Sequence, residues 1–427
     1  MTAGAAGARP TVAIVGAGVS GLTAAYVLAE KYSVTLYETD HRLGGHAHTH
    51  DVIDPGGTAL AVDSGFIVHN DRTYPQLRRL FGELGVKTSP TEMSMSVHDE
   101  ESGLEFAGGR GVRGIFAQPR RFADPRFLSI LAQVKRFQIR ANAFLTSTDD
   151  TDQTTYGEFL RTLGFSEGFI RLYAVPLVSC VWSMGTEAAL DYPARYLFRF
   201  LSHHGMLAVS GSPQWYTVDG GSRTYVDAIA ARLPHIRAGQ AVTTVLRESD
   251  GVAVQDAAGA WADYDSIVIA THADQALALL ADASREEKEV LGAFSYSRSE
   301  AILHTDPRLL PSANQARASW NYLIPSARDG DHPPVVSYWM NRLQGLTSSE
   351  QYLVTLNARE RIDPDSVIAV MQYEHPIYDL PAIQAQARLA SLSTPQTAFA
   401  GAYHGWGFHE DGCRSGVEAA RTLGVAW

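Results

Sequence analysis

Six consecutive residues, Gly16-Ala17-Gly18-Val19-Ser20-Gly21, carry the densest chemical signal in the chain. Glycines at the first, third and sixth places suit a backbone that must approach a diphosphate. Gly16 permits a tight turn, Gly18 lets the main chain come close to the phosphates, and Gly21 lets the following helix pack on a strand. Val19 and Ser20 open that helix, whose unpaired N–H groups and positive dipole end face the same anion. The segment follows an all-apolar run, Thr11-Val12-Ala13-Ile14-Val15, and precedes a second one, Ser33 to Tyr37, that ends at Glu38. Glu38 is placed to accept hydrogen bonds from the two hydroxyls of an adenosine ribose. An acid there disfavours a 2′-phosphate and so argues against NADP. Strand, glycine turn, helix, strand and terminal acid together predict a dinucleotide site.

Other reactive side chains are sparse. The only lysines are Lys31, Lys87, Lys135 and Lys288, and the only cysteines are Cys180 and Cys413. Two cysteines exclude a disulfide framework and a cysteine-rich metal site, and no metal centre is expected. Candidate acid/base groups are His46, His69, His203, His204, His404 and His409. Trp182, Trp215, Trp320, Tyr322, Tyr338 and Trp339 are candidate pocket walls, with core packing the simpler role for each. Arg195 and Arg342 have the charge to bind a carboxylate but suit surface ion pairs better.

The elements that must position these groups follow from hydrophobic patterning. An Ala/Leu-rich helix is expected over Leu22 to Lys31, making a β-α-β unit with a parallel sheet. Further strands are expected at Ser266 to Ala270 and Ala398 to Gly401, with helices over Asp274 to Leu280 and onward to about Leu423. Between them, Phe116 to Phe144 and Thr155 to Gly205 read as helical, and Ser297 to Thr355 as β-rich. Segments so far apart can share one sheet only if the intervening chain builds something else. The fold expected is α/β: a discontinuous Rossmann-type domain (1–95, 211–290 and 385–427) with an inserted mixed α+β substrate domain (96–210 and 291–384).

Composition narrows the function classes. At 427 residues, 45% hydrophobic and 19% charged, the chain can build two real cores. A net charge of -11 leaves no expected basic face for nucleic acid or a membrane surface. No apolar run is long enough to span a bilayer. The start, Met1 to Arg9, reads as a loose tail with no signal segment, so a cytoplasmic location is expected. Oligomeric state is left open.

Directly after Glu38 comes Arg42-Leu43-Gly44-Gly45-His46. Over residues 12 to 46 the chain resembles flavoproteins of the glutathione-reductase and amine-oxidase type, in which such a segment follows the diphosphate towards the flavin. Near the other end, Phe399-Ala400-Gly401 and the loop through Gly412-Cys413 resemble the closing flavin motif of the same superfamily. With Asp63-Ser64-Gly65-Phe66, Pro213-Gln214-Trp215, Gly220-Gly221-Ser222-Arg223, Leu303-His304-Thr305-Asp306 and Met340-Asn341-Arg342, they resemble bacterial flavin-containing, amine-oxidoreductase-like proteins. Relatives of that group are often encoded beside cyclopropane-fatty-acyl-phospholipid synthases.

The resemblance implies FAD, held by Gly16, Gly18, Val19, Ser20, Gly21, Glu38, Arg42, Gly44, Gly45, Gly65, Val242, Gly401, Gly412 and Cys413. Val242 falls where such enzymes hold adenine through backbone atoms, and Asp63-Ser64-Gly65 where the chain passes the ring. N–H groups at about Gly412 and Cys413 are expected to face the pyrimidine edge. The acid that usually follows the closing glycine is Ala402 here, with Asp411 or Glu410 as substitutes.

The lysine that amine oxidases set against flavin N5 is missing. The expected strand, Arg298 to Leu303, offers Ser299 and Glu300, and Lys288 lies in a charged run. Phe408 replaces the usual tyrosine, which suggests an apolar wall without a phenol. His46, His409, Phe408 and Trp406 are therefore the expected catalytic surround. The implied function is an FAD-dependent oxidoreductase removing a hydride from a C–N or C–C bond of an apolar small molecule, with reoxidation by oxygen. The alternative is a redox-neutral isomerase or desaturase of an unsaturated fatty acyl or polyketide chain.

Overall fold

The computed structural model describes residues 9–147, 152–182, 185–207, 211–326 and 334–427. All of the Ala/Gly-rich start except Arg9 lies outside these, as do four short stretches within the inserted regions.

Five short strands form one parallel sheet in the order His235–Ala238, Ser33–Glu38, Thr11–Val15, Ser266–Ile269, Thr397–Phe399. Val12, Ala13, Ile14, Leu36, Ile267, Val268 and Ile269 are fully buried because both faces of the sheet are covered. Residues from three distant parts of the chain thus end at one sheet edge: Gly16, Glu38, Ala270 and Gly401 sit just at or beyond the carboxyl ends of their strands.

The first helix runs Val19–Leu28, three residues earlier at each end than patterning suggests. It starts early because Gly18 is extended and its carbonyl already accepts from Leu22 N–H. The last helix, His409–Thr422, lies against it. Glycine makes that approach possible: a Cβ on Gly416 would sit 2.4 Å from the Ser20 carbonyl oxygen, and one on Gly412 2.6 Å from Val19 Cγ1.

A second, seven-stranded sheet is mixed. Its order is Val367–Ile377, Ser295–His304, Leu353–Leu356, Val335–Trp339, Trp320–Ile324, Met95–Asp99, Leu104–Gly108, with one parallel pair between Trp320–Ile324 and Met95–Asp99. The strand Val367–Ile377 extends this sheet beyond the stretch ending at Thr355. Its apolar residues fall on both faces, with Ile368 and Val370 exposed at the sheet edge and Met371 and Tyr373 buried, so it lacks a clean period-two signal. Helices Pro125–Ser147, Tyr156–Thr162, Val175–Trp182 and Ala194–His203 pack around a phenylalanine-rich core of Phe127, Phe137, Phe159, Phe169 and Phe198. Among the described residues no helix is long and apolar enough to cross a membrane.

Candidate cofactor and substrate site

A cavity of about 880 Å³ starts at the sheet edge and runs to the helices of the inserted region. Its first part is glycine-shaped. Gly16, at φ +99°, lies so close to the next strand that a Cβ would sit 2.7 Å from the Ala270 carbonyl oxygen. A Cβ on Gly21 would be 1.9 Å from the Gly16 oxygen, whereas one on Gly18 would meet nothing within 4 Å. Gly18 is therefore the open place, facing the cavity with Val19, Ser20 and the helix N-terminus behind it.

Glu38 lines the cavity beside it, its carboxylate accepting from Ala17 N–H at 2.7 Å and Asp40 N–H at 3.0 Å. Gln240 and Val242 line the same part. The Arg42 guanidinium donates to the carbonyls of Leu43, Gly45 and Ala47 at 2.8–3.0 Å. Its first role is to fold the Gly44-Gly45 turn, and it brings a positive charge to the cavity wall. Gly44 supports the turn from outside, donating to the Ala17 carbonyl at 2.8 Å.

The middle of the cavity is built from segments far apart in sequence. His46 stacks on Tyr373, with centroids 4.9 Å apart, and meets His375 edge-on at 5.3 Å. The Tyr373 hydroxyl is 2.8 Å from Ser64 Oγ and 3.2 Å from His48 Nδ1, and Ser64 Oγ is 2.9 Å from His50 Nε2. Gly65 packs where a Cβ would be 2.1 Å from the His46 oxygen. Burial drives the His46 pKa well below its ordinary value and His375 down to about 4, so both rings are neutral at pH 7. His46 Nε2 is buried with no hydrogen-bond partner.

Aromatic side chains close the far part. Phe408 stacks on Phe200 at 4.8 Å and meets Trp182 at 6.1 Å, and Trp406 lies 6.1 Å from Tyr196. Trp215, Trp320, Tyr338 and Tyr378 complete the wall. His409 is stacked on Phe66 at 3.8 Å with Nε2 3.3 Å from Tyr225 Oη, and burial lowers its pKa to about 3. An imidazole so acidic is a weak proton acceptor near neutral pH.

Several expectations need correction. The wall is not free of phenols, because Tyr338, Tyr373 and Tyr378 all line it. Gly412 and Cys413 do not face the cavity. The helix begins at His409, the Gly412 N–H is already bonded to the Phe408 carbonyl at 3.0 Å, and Cys413 is buried in the core. The free N–H groups belong to the first turn, from His409 onward.

Neither substitute acid reaches the cavity. Glu410 accepts from Gln76 and Leu77 N–H at 3.0 Å each, capping helix Pro75–Leu84. Asp411 accepts from Trp406 and Phe408 N–H at 3.0 and 3.1 Å and so holds the loop that carries the wall.

Of the other candidate residues, His204 lines the cavity, while His69, His203, His404, Tyr322 and Trp339 do not. Arg342 pairs with Glu92 at 2.7 Å, Arg195 donates to the Leu145 carbonyl, and both cysteines are free thiols. Ser299 and Glu300 lie off the cavity, as do all four lysines. His272, Tyr296, Tyr373 and His375 line it without having stood out in the sequence. Among the described residues no cluster suits a metal ion.

These features fit FAD. Gly18 leaves room at a helix N-terminus for a diphosphate, and Glu38 ends the neighbouring strand. The cavity continues past Gly45, Gly65 and Gly401, with the unpartnered Nε2 of His46 beside them. The model of a family described as flavin containing amine oxidoreductase matches residues 19–423.

A search of curated protein sequences finds no match. Among solved structures, the cyclohexylamine oxidase of Brevibacterium oxydans IH-35A is 18% identical with a TM-score of 0.72, over 97% of this chain and 98% of that one. A putrescine oxidase bound to putrescine is 15% identical with a TM-score of 0.67, over the same shares. A CLA-producing fatty acid isomerase from P. acnes is 16% identical with a TM-score of 0.65, over 96% and 98%. At these identities the likeness shows the fold. The family match over nearly the whole chain, together with this glycine cradle, makes the protein a member of the flavin-containing amine oxidoreductase family with FAD as its cofactor.

Proposed function

We propose that the enzyme removes a hydride from a C–N or C–C bond of an apolar, uncharged small molecule. One observation carries this reading. The far part of the cavity is walled by Trp182, Phe200, Trp320, Tyr338, Trp406 and Phe408, and the only Lys, Arg, Asp or Glu among its described lining residues are Glu38, Arg42 and Glu374. Glu38 and Arg42 belong to the cofactor end, and Glu374 is occupied by Arg298 at 2.8 Å and faces His272 at 3.3 Å. An ammonium or carboxylate carried to the aromatic end would lose its hydration without a counter-charge, which costs several kcal/mol.

When bound, FAD supplies the hydride acceptor. The chain's part is to hold and orient. Residues 1–95, 211–290 and 385–427 carry the cofactor, and 96–210 and 291–384 carry the substrate. Gly16, Gly18, Val19, Ser20, Glu38, Arg42, Gly45, Gly65, Val242 and Gly401 hold the cofactor from the cavity wall, with Gly21, Gly44, Gly412 and Cys413 supporting them from behind. Trp406 and Phe408 orient the substrate and exclude water, His409 backs them, and His46 offers Nε2 for a hydrogen bond.

A second reading has its own support. The wall suits an unsaturated acyl or polyketide chain, and no lysine lines the cavity, so a redox-neutral isomerase or desaturase fits as well. The related folds include both an amine oxidase and a fatty acid isomerase. Turnover in air with neutral amines and unsaturated fatty acyl methyl esters, followed by mass spectrometry and a peroxide assay, separates the two. Oxidised product with matching peroxide supports the first, and an isomer formed without oxygen uptake supports the second. Turnover of diamines or amino acids alone would overturn both.

A further inference from the structure

The chain as a whole is acidic, yet residues 110–140 hold eight of its 35 Lys and Arg and only one of its 46 Asp and Glu. The net charge of -11 conceals this, and the expectation of no basic face does not survive it. The segment folds as two short helices, Gly111–Ile115 and Pro119–Ala123, leading into the 23-residue helix Pro125–Ser147. Arg110 and Arg121 are paired with Glu92 and Asp124, and Arg136 lies over the Phe165 ring. Arg113, Arg120, Arg126, Lys135 and Arg140 are exposed, and none is within ion-pair distance of a carboxylate among the described residues.

Apolar side chains protrude among these cations. Val112 is 65% exposed, Phe122 55%, Ile139 60% and Leu128 42%, which makes four of the eight large exposed hydrophobic residues among the described residues. On the long helix, Leu128, Ala132, Lys135 and Ile139 are exposed at spacings of four, three and four, so they form one outward stripe. The opposite face, Phe127, Ile130, Phe137 and Ala141, is buried.

We propose that this face docks on the surface of an anionic phospholipid bilayer, lying on it without crossing. Unpaired Lys and Arg meet the headgroups, and Val112, Phe122, Leu128 and Ile139 enter the boundary with the acyl chains. Charge complementarity and protruding aliphatic side chains together select a lipid surface over a soluble polyanion, which would leave the aliphatic groups in water. The rest of the chain carries a large acidic excess, so repulsion turns the other faces away and fixes the orientation. Phe137 on the inner side of the long helix meets Phe198 at 5.7 Å, and Phe200, two residues on, lines the cavity. The docking face and the apolar end of the cavity are thus two sides of one helical layer. The proposal stands whichever reaction the cavity performs.

Flotation of the FAD-loaded protein with vesicles tests it. The protein is expected to float with phosphatidylglycerol–phosphatidylcholine vesicles and not with phosphatidylcholine alone, and to release as salt is raised. Combining Arg113→Gln, Arg126→Gln, Lys135→Gln and Arg140→Gln should weaken binding about a hundredfold or more, at roughly fivefold per cation. Phe122→Ala with Leu128→Ala should weaken it about tenfold and leave the salt dependence unchanged. The pair Arg285→Gln and Arg388→Gln, exposed elsewhere, should change nothing, and flavin absorbance reports that each variant is folded. Failure to float with either vesicle overturns the proposal. So does equal binding by the four-site variant, or equal affinity for polyglutamate or single-stranded RNA, which would assign the face to a different partner.

Discussion

Gly18 and Gly21 lie three residues apart and are glycine for different reasons. At Gly18 a side chain would enter open cavity, and at Gly21 it would enter the Gly16 carbonyl. Gly18→Ala is therefore expected to fold with an unchanged melting temperature and to hold FAD at least about tenfold more weakly, read by flavin fluorescence on titration. Gly21→Ala should lower stability by about 1–3 kcal/mol or more even before cofactor is considered. If Gly18→Ala binds FAD as well as the parent, the cradle is misplaced.

In the aromatic wall, Phe408→Ala removes a ring stacked on Phe200. It should raise KM for an apolar substrate about tenfold with a smaller effect on kcat, since it removes binding shared by ground and transition states. The placement of Gly16, Gly18, Gly21 and Glu38 around one turn was legible in the sequence because it is fixed within one local β-α-β unit. His46 and Tyr373, by contrast, are brought together from more than 300 positions apart by the packing of a turn on the strand Val367–Ile377, and no local pattern announces that contact.

Elements place these residues, and the closing helix does so twice. Glu410 in its first turn caps another helix, Pro75–Leu84, through two N–H groups, while Asp411 holds the loop of Trp406 and Phe408. Glu410→Ala should cost about 1–2 kcal/mol and speed amide exchange at Gln76 and Leu77. Glu410→Gln, which keeps one acceptor oxygen, should recover part of the loss. A change in cofactor affinity with no change in exchange would instead place Glu410 at the ribityl chain.

The position of the closing helix was legible from its pattern and its start was not. The start depends on which N–H first finds a carbonyl, and Gly412 finds Phe408. The edge strand Val367–Ile377 escaped because an edge strand with apolar groups on both faces has no clean alternation.

For the whole molecule, buried titrating groups set the pH dependence of stability. His69, His304 and His404, all off the cavity wall, are lowered by burial to about 4, as are His204 and His375 on it, and His409 falls to about 3. Between about pH 4 and 6.5 the unfolded chain binds these protons and the native protein does not, so stability rises with pH. Asp63 and Asp411, raised to about 6, and Glu410, raised to about 7, act oppositely, because the native state keeps protons that the unfolded chain has released. Six histidines outweigh three acids. The melting temperature should climb from pH 4.5 to 6.5, with net proton uptake on unfolding, and a falling melting temperature over that window would contradict these burial assignments.

Fold class and cofactor were readable from motifs at the two ends of the chain. The basic face was not, since a global charge sum hides a segment of opposite sign.

The central claim is that FAD faces an aromatic chamber built for an uncharged apolar molecule. Anaerobic absorbance titration of the purified protein with a panel of neutral amines, unsaturated fatty acyl methyl esters and charged diamines tests it most directly. Bleaching of the flavin band by a member of the apolar classes, with charged diamines silent, is the predicted result. A protein that takes up no FAD, or a flavin reduced only by the charged compounds, would contradict it.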